Sequence, residues 1–449
     1  MKKIHFIGIG GVGMSALAEL SLNLGMSIQG TEVDLNEYTY RLREMGVEIF
    51  DRYSRFNIKD VDLVIVSSGV MPNNVELEEA SNKGIPIIPR ARLLAEITRR
   101  QSGIIVTGSH GKTTTSGLIA TLLEEAGKDP TFIIGGNIID FESNFKHGFG
   151  NFVVIEADES DGSVFFFSPY IALLTNFDME HVDYWKGGTK ECCNVFSFFF
   201  NMIPFCGSSI ICVDSFILNS FIRTLKGRVL TYGLNTNADY YIKNIYFKGG
   251  FTYFNVIKYG KFLGEFRTRL LGVHNIQNAL GALIVADELQ ISTFIVAKTL
   301  ESYAGINRRL TYIGERKNIL VIDDYAHHPT EIAVVIKTIK RLFYNRRLVV
   351  LFEPHRATRF YHLLNEFIDA FSNIDMLFLC DVYFAGEINL FKDNLIKLVK
   401  ETSNLNFLQV GSISTLASKL ISIVKDGDIV LTLGAGHVSK WAWHIYSSL

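Results

Sequence analysis

Gly111-Lys112-Thr113 stands inside the run IIVTGSHGKTTTSG, Ile104 to Gly117. A lysine and a hydroxyl residue directly after a glycine, between a strand-like and a helix-like segment, form the end of a phosphate-binding loop. Amides at such a turn cradle phosphate oxygens, the lysine offsets their charge, and the hydroxyl can ligate Mg²⁺. The first half departs from the usual pattern, because Val106 stands where a glycine is expected and Gly108 lies closer in. The spacing predicts that Gly108, Ser109, His110, Gly111, Lys112, Thr113 and Thr114 hold ATP.

Magnesium needs further hard ligands. Two carboxylate-rich stretches follow, EADESDGS (Glu156–Ser163) and TNFDMEHVD (Thr175–Asp183), each after an apolar strand-like run. Ligands collect at such strand ends in parallel α/β sheets. Spacing alone serves equally well a turn in which Asp158, Glu159 and Asp161 are simply solvated.

A second glycine-rich loop, GIGGVG, opens the chain: Gly8, Gly10, Gly11 and Gly13, with Glu32 nineteen residues after Gly13. Alone it suggests a dinucleotide whose ribose meets the acid. The glycines say only that a diphosphate approaches the backbone.

The elements needed to place these loops are present. Residues 2–8 read as a buried strand and 14–24 as a helix stopped by Gly25. Strand and helix then alternate through Ser27–Thr31, NEYTYRLREMG, Val61–Val66, NNVELEEASNKG and Ile85–Ile88. The pattern restarts at Ile104: GIIVTG, the helix TTSGLIATLLEEAG, then FVVIEAD and YIALLTN. The aromatic stretch from Ala238 to Ile257 alternates as antiparallel strands do, and HNIQNALGALIVADEL reads as a helix. After Gly305-Ile306-Asn307-Arg308-Arg309 come ILVIDD, LVVLFE, MLFLCD and IVLTLGAG. The expectation is three α/β domains, 1–101, 102–307 and 308–449, with mostly parallel sheets and a small antiparallel part in the second.

Composition narrows the class. The 449 residues are 48% hydrophobic and 20% charged, with a formal net charge of −2. That balance suits a soluble globular protein and argues against nucleic acid as a partner. Five cysteines without a C-x-x-C pair read as reduced thiols of a cytoplasmic chain. The uncharged run from Cys192 to Val213 reads as a helix, a turn and a buried strand, not a membrane span, and its phenylalanines from 196 to 205 as core. His327 and His328, adjacent on a strand, point to opposite faces and so make poor partners for one zinc ion. No G-x-S-x-G elbow occurs.

In order, TGSHGKTTT, EADESDGS, TNFDMEHVD, GVHNIQNALGA, GINRRL, DDYAHHPTE, FEPHRATR and GAG resemble the motifs of the Mur ligases, ATP-dependent amide-forming enzymes of peptidoglycan synthesis. The resemblance runs nearly the whole chain. It implies a Rossmann-like N-terminal domain for a UDP-sugar, a central ATPase domain, and a Rossmann-like C-terminal domain that receives an amino acid. It also implies Thr113, Glu156 and His181 as Mg²⁺ ligands and Lys112 on the ATP phosphates. Asn275 and Asn278 would lie near the adenine and Asp323 or Asp324 near the ribose. Arg308 would approach the γ-phosphate or the substrate carboxylate. Tyr325, His327, His355, Arg356 and Arg359 would line the region of the amino acid and the muramoyl carboxylate. The first loop becomes a UDP-sugar site, with Ser67, Ser68 and Glu32 nearby. The implied partners are small molecules, UDP-N-acetylmuramate, L-alanine and ATP, acting on a monomer or homodimer. The expected chemistry is an acyl phosphate attacked by the amine, with His327 as base and closure of the third domain over the second excluding water. The chain departs from the family pattern at Glu353, Phe384 and His437. Two other readings stay open: a ligase adding a preformed peptide to the same sugar nucleotide, and a nicotinamide-dependent oxidoreductase built on the first loop.

Overall fold

The structure, a computed structural model, describes residues 3–67, 69–157, 166–176, 188–214, 221–248, 250–384 and 408–449. Among them, three sheets form. In the first, β1 (Lys3–Ile7), β2 (Ser27–Thr31), β3 (Glu48–Phe50), β4 (Leu63–Val66) and β5 (Ile87–Pro89) pair in parallel in the order β3-β2-β1-β4-β5. Central parallel strands are covered on both faces and therefore read as apolar runs. Accordingly Ile4, Phe6 and Ile7 of β1 are buried.

The second sheet contains β6 (Ser102–Thr107), β7 (Thr131–Ile138), β8 (Ser143–Lys146), β9 (Phe152–Glu156), β10 (Pro169–Leu174), β11 (Ser208–Cys212), β12 (Val229–Gly233), β13 (Tyr240–Lys248), β14 (Phe251–Lys258) and β15 (Lys261–Thr268). Their order is β15-β14-β13-β12-β11-β10-β6-β9-β7-β8. Strand β6 lies between β9 and β10, parallel to both. This brings the phosphate-loop motif and the ends of both carboxylate-bearing strands to one edge. The antiparallel part is β13–β15, with a β7–β8 hairpin at the far side.

The third sheet is β16 (Thr311–Arg316), β17 (Ile319–Asp324), β18 (Leu348–Phe352), β19 (Met376–Cys380), β20 (Leu408–Gly411) and β21 (Ile429–Leu433), in the order β16-β17-β21-β18-β19-β20. Only β16 pairs antiparallel among these described strands. The helix Pro329–Leu342 starts with proline at its first turn and His328 as cap, whose ring accepts from the Thr330 amide at 3.4 Å.

Contacts divide the chain into two compact units, Met1–Arg269 with His274–Gly305, and Leu270–Val273 with Ile306–Leu449. The first unit contains both glycine-rich loops. Its helix Val12–Asn23 packs on β7 and β8, and the Asn144 amide donates to the Val12 carbonyl at 3.4 Å.

Several expectations shift. The helix Arg90–Thr98, the β7–β8 hairpin, β15 and β16 were not legible in the pattern. The run from Cys192 to Val213 spans the end of the helix Gly188–Phe200 and β11. Phe196, Phe199 and Phe200 are core, whereas Phe198 is 59% and Phe205 98% exposed, so those two are surface residues. Among the described residues, no helix is long and apolar enough to cross a membrane.

Candidate functional site

The phosphate loop leaves β6 at Thr107 and enters the 14-residue helix Lys112–Glu125 through Gly111, whose φ of +81° is left-handed. A side chain at Gly111 would collide with Asn278, so glycine is required for both backbone and space. Asn275 and Asn278 are buried on the helix Val273–Glu288, and Asn278 Nδ2 donates to Asn275 Oδ1 at 3.1 Å. That helix therefore seats its amide pair against the loop.

Two residues at the end of β10, which spacing did not single out, clamp the loop. Thr175 Oγ1 donates to the His110 carbonyl at 2.5 Å, Asn176 Nδ2 donates to the same oxygen at 2.8 Å, and the His110 amide donates to Asn176 Oδ1 at 2.9 Å. Lys112 Nζ donates to the Gly108 carbonyl at 2.5 Å and the Ser109 carbonyl at 3.3 Å. Thr114 follows it, buried in the first turn.

At the end of β9, Glu156 accepts from Thr113 Oγ1 at 3.0 Å and from the Gly135 amide at 2.7 Å. Hydroxyl and carboxylate oxygens are the donor set Mg²⁺ prefers, and these two already face each other, so the residues fit that ion. His181, Asp158, Glu159, Asp161 and Ser68 lie outside the described residues. Nearby, burial first and the His110 ring second push His274 down to about 4.

At the first loop, the Glu32 carboxylate accepts from the Gly10 amide at 2.9 Å. Gly8 and Ile9 donate to the Thr31 carbonyl at 2.9 and 3.1 Å. Gly11 caps the helix Val12–Asn23. Ser67 stands beside Gly8, its amide on the Ile7 carbonyl at 3.2 Å. Arg90, absent from the sequence reading, lies against Gly13, where an added Cβ would come within 2.7 Å of its guanidinium.

The second unit gathers most of the remaining residues at the carboxyl ends of β17 and β18. His327 Nδ1 lies 3.1 Å from the Tyr325 carbonyl and 3.6 Å from Glu331. Burial holds its pKa below the ordinary value, against the opposing pull of Glu331. The His327 and His355 rings are 5.7 Å apart, and His355 stacks on Tyr383 at 5.5 Å. Arg356, at φ +68°, precedes the short helix Ala357–His362, which carries Arg359.

Arg308 is already engaged. Its guanidinium donates to the Gly434 and Ala435 carbonyls and lies 4.8 Å from the Tyr325 ring centre. Asp323 and Asp324, the residues expected near the ribose, close β17 and are both buried. Asp324 is buried, with its oxygens accepting the Leu310 amide at 2.6 Å and the Ala326 amide at 2.7 Å. Asp323 is 1% exposed and accepts from Thr432 and Ser439. Asp323 also lies 3.9 Å from the Arg308 guanidinium. The departures have local roles too. Glu353 accepts from the Val438 amide at 2.9 Å at the start of the last helix, His437 packs edge-on to Tyr383, and Phe384 packs on the apolar core.

Comparison with known proteins follows the same order along the chain. Residues 3–102 match the description "Mur ligase family, catalytic domain", 106–286 "Mur ligase middle domain", and 308–436 "Mur ligase, glutamate ligase domain". A UDP-N-acetylmuramate–L-alanine ligase of Trichlorobacter lovleyi is 41% identical over 98% of this chain and 97% of its own length. One from Myxococcus xanthus is 40% identical over 97% and 93%. The crystal structure of the UDP-N-acetylmuramate–alanine ligase of Thermotoga maritima superposes with a TM-score of 0.82 at 28% identity, covering 100% of this chain and 99% of that one. A murein peptide ligase of Psychrobacter arcticus shares the fold, with a TM-score of 0.71 at 23% identity over 100% and 98% of the chains. This chain belongs to the Mur ligase family.

Proposed function

We propose that the chain joins L-alanine to the lactyl carboxylate of UDP-N-acetylmuramate, with ATP converted to ADP and phosphate, in peptidoglycan synthesis. The observation that carries this reading is full-length identity of about 40% to ligases of that name. The peptide-adding reading rests on likeness of fold at 23% and 24% identity, and a nicotinamide enzyme would leave the Lys112–Thr113–Glu156 arrangement without a purpose.

The chemistry sets the demands. A carboxylate resists an amine, so its oxygen must first become a phosphate leaving group. Bringing two anions to ~4 Å costs about 4 kcal/mol per like-charge pair at an effective dielectric of ~20. Lys112 supplies the neutralising cation at the ATP phosphates, and Arg308 a second one for the reacting anions. Thr113 and Glu156 would hold Mg²⁺, which adds charge at the phosphates. His327, kept neutral by burial, suits removal of a proton from the alanine ammonium. Arg356 and Arg359 suit its carboxylate, since a guanidinium can offer two parallel hydrogen bonds. By the same reading, residues 1–101 take the sugar nucleotide, 102–307 ATP and 308–449 the amino acid. The test is phosphate release from ATP that requires both UDP-N-acetylmuramate and L-alanine.

A further inference from the structure

The N-terminal sheet encloses an acid for which the proposed reaction has no use. Glu76 sits in the first turn of the helix Val75–Asn82, fully buried. Four donors converge on its carboxylate: His5 Nε2 at 3.1 Å, Thr31 Oγ1 at 2.7 Å, Asn57 Nδ2 at 2.7 Å and the Ser54 amide at 3.2 Å. Gln29 Nε2 lies 3.1 Å from His5 Nδ1, which places the imidazole hydrogen on Nε2, toward Glu76. A buried carboxylate is costly unless it is hydrogen-bonded, and here Oε1 accepts from three donors and Oε2 from one. Burial pushes the Glu76 pKa up, but the hydrogen bonds from His5, Thr31 and Asn57 outweigh it and hold the group below its ordinary value.

Two of these donors, Thr31 and Ser54, lead to the first nucleotide loop and its flank. Thr31 bonds Glu76 through its hydroxyl, and its carbonyl accepts the Gly8 and Ile9 amides. Ser54 follows Tyr53, and Glu76 follows Asn74 and Val75. Those three residues line an open cavity of about 410 Å³ with Gly69, Val70, Met71 and Asn73. Val70 reaches Gly8, whose Cβ position is 3.4 Å from Val70 Cγ2. One carboxylate thus ties the loop to both walls of the adjoining cavity.

We propose that Glu76 is a positioning residue for the sugar nucleotide, fixing through Thr31 and Ser54 the loop and cavity that receive it; this rests on the UDP-sugar reading of the Gly8–Gly13 loop. It touches no substrate and acts only on the geometry of groups that do.

Glu76→Gln keeps the shape and removes the charge. Binding of UDP, measured by calorimetry, should weaken about tenfold or more, the scale of one lost buried hydrogen bond to a charged group. KM for UDP-N-acetylmuramate should rise alike, while kcat and KM for ATP stay within about twofold. Thr31→Val should act in the same direction and Thr31→Ser should restore binding; if Glu76→Gln does not fold, the Thr31 pair carries the test. Unchanged UDP affinity in a folded variant, or equal shifts in every KM, would overturn the proposal. Failure of the wild type to turn over UDP-N-acetylmuramate would instead count against the ligase reading, leaving the UDP measurement on Glu76 intact.

Discussion

Thr113 at the head of one helix and Glu156 at the end of β9 meet at 3.0 Å, hydroxyl to carboxylate, although 43 residues separate them. A cation ligated by both would displace that hydrogen bond. Glu156→Gln keeps the bond but loses the charge. The Mg²⁺ concentration giving half-maximal phosphate release should rise about tenfold or more. A magnesium titration checks this, and an unaltered midpoint would remove Glu156 from the metal.

Lys112 donates to the carbonyls of Gly108 and Ser109, neutral acceptors over which a charged phosphate is favoured. Lys112→Ala should abolish ADP formation and leave binding of the UDP substrate close to wild type. ATP turnover near the wild-type rate would refute the assignment.

His327 provides a pH test. Burial, more than any charge, keeps its pKa below 6.5, so the ring is mostly neutral at pH 7 and gains a proton only as the solution becomes more acid. Activity limited by this base should therefore be full above its ordinary pKa and fall as pH drops through the lowered one. His327→Gln should lower kcat about a hundredfold and remove that acid limb. A profile of kcat/KM for alanine that keeps its acid limb in the variant would assign the limb elsewhere.

His274 bears on stability instead. Its folded pKa, about 4, lies below the ordinary 6.5 because of burial and then His110. Between those values the unfolded chain binds the extra proton, so its contribution is complete above pH 6.5 and is lost as pH falls toward 4. The full swing is about 3 kcal/mol at most. His274→Asn should flatten the dependence of Tm on pH across that window. Identical curves for the two proteins would show that the ring titrates normally.

Local features of the sequence proved most legible. Gly111-Lys112-Thr113 needs only a strand before it and a helix after it, and both are written in adjacent residues. The Thr175–Asn176 clamp on His110 is different: about 65 residues intervene, and a threonine and an asparagine after an apolar strand fit many turns. Arg90 against Gly13 escaped notice for the same reason, since only the parallel pairing of β4 with β5 brings it to the loop. Asp323 and Asp324 show the limit from the other side. Two carboxylates at a strand end look free, and only the fold shows that each also accepts from within the protein, Asp323 from Thr432 and Asp324 from the Leu310 amide. The β7–β8 hairpin was hidden by Gly135-Gly136, which break the alternation that marks a strand.

The most direct measurement is mass analysis of the product after incubation with UDP-N-acetylmuramate, ATP, Mg²⁺ and each of L-alanine, L-serine and glycine, with released phosphate followed in parallel. A UDP-N-acetylmuramoyl-L-alanine product, formed with one phosphate per amide and none when the amino acid is omitted, is the predicted result. Phosphate release indifferent to the amino acid, or an adduct formed only with a preformed peptide, would contradict the account.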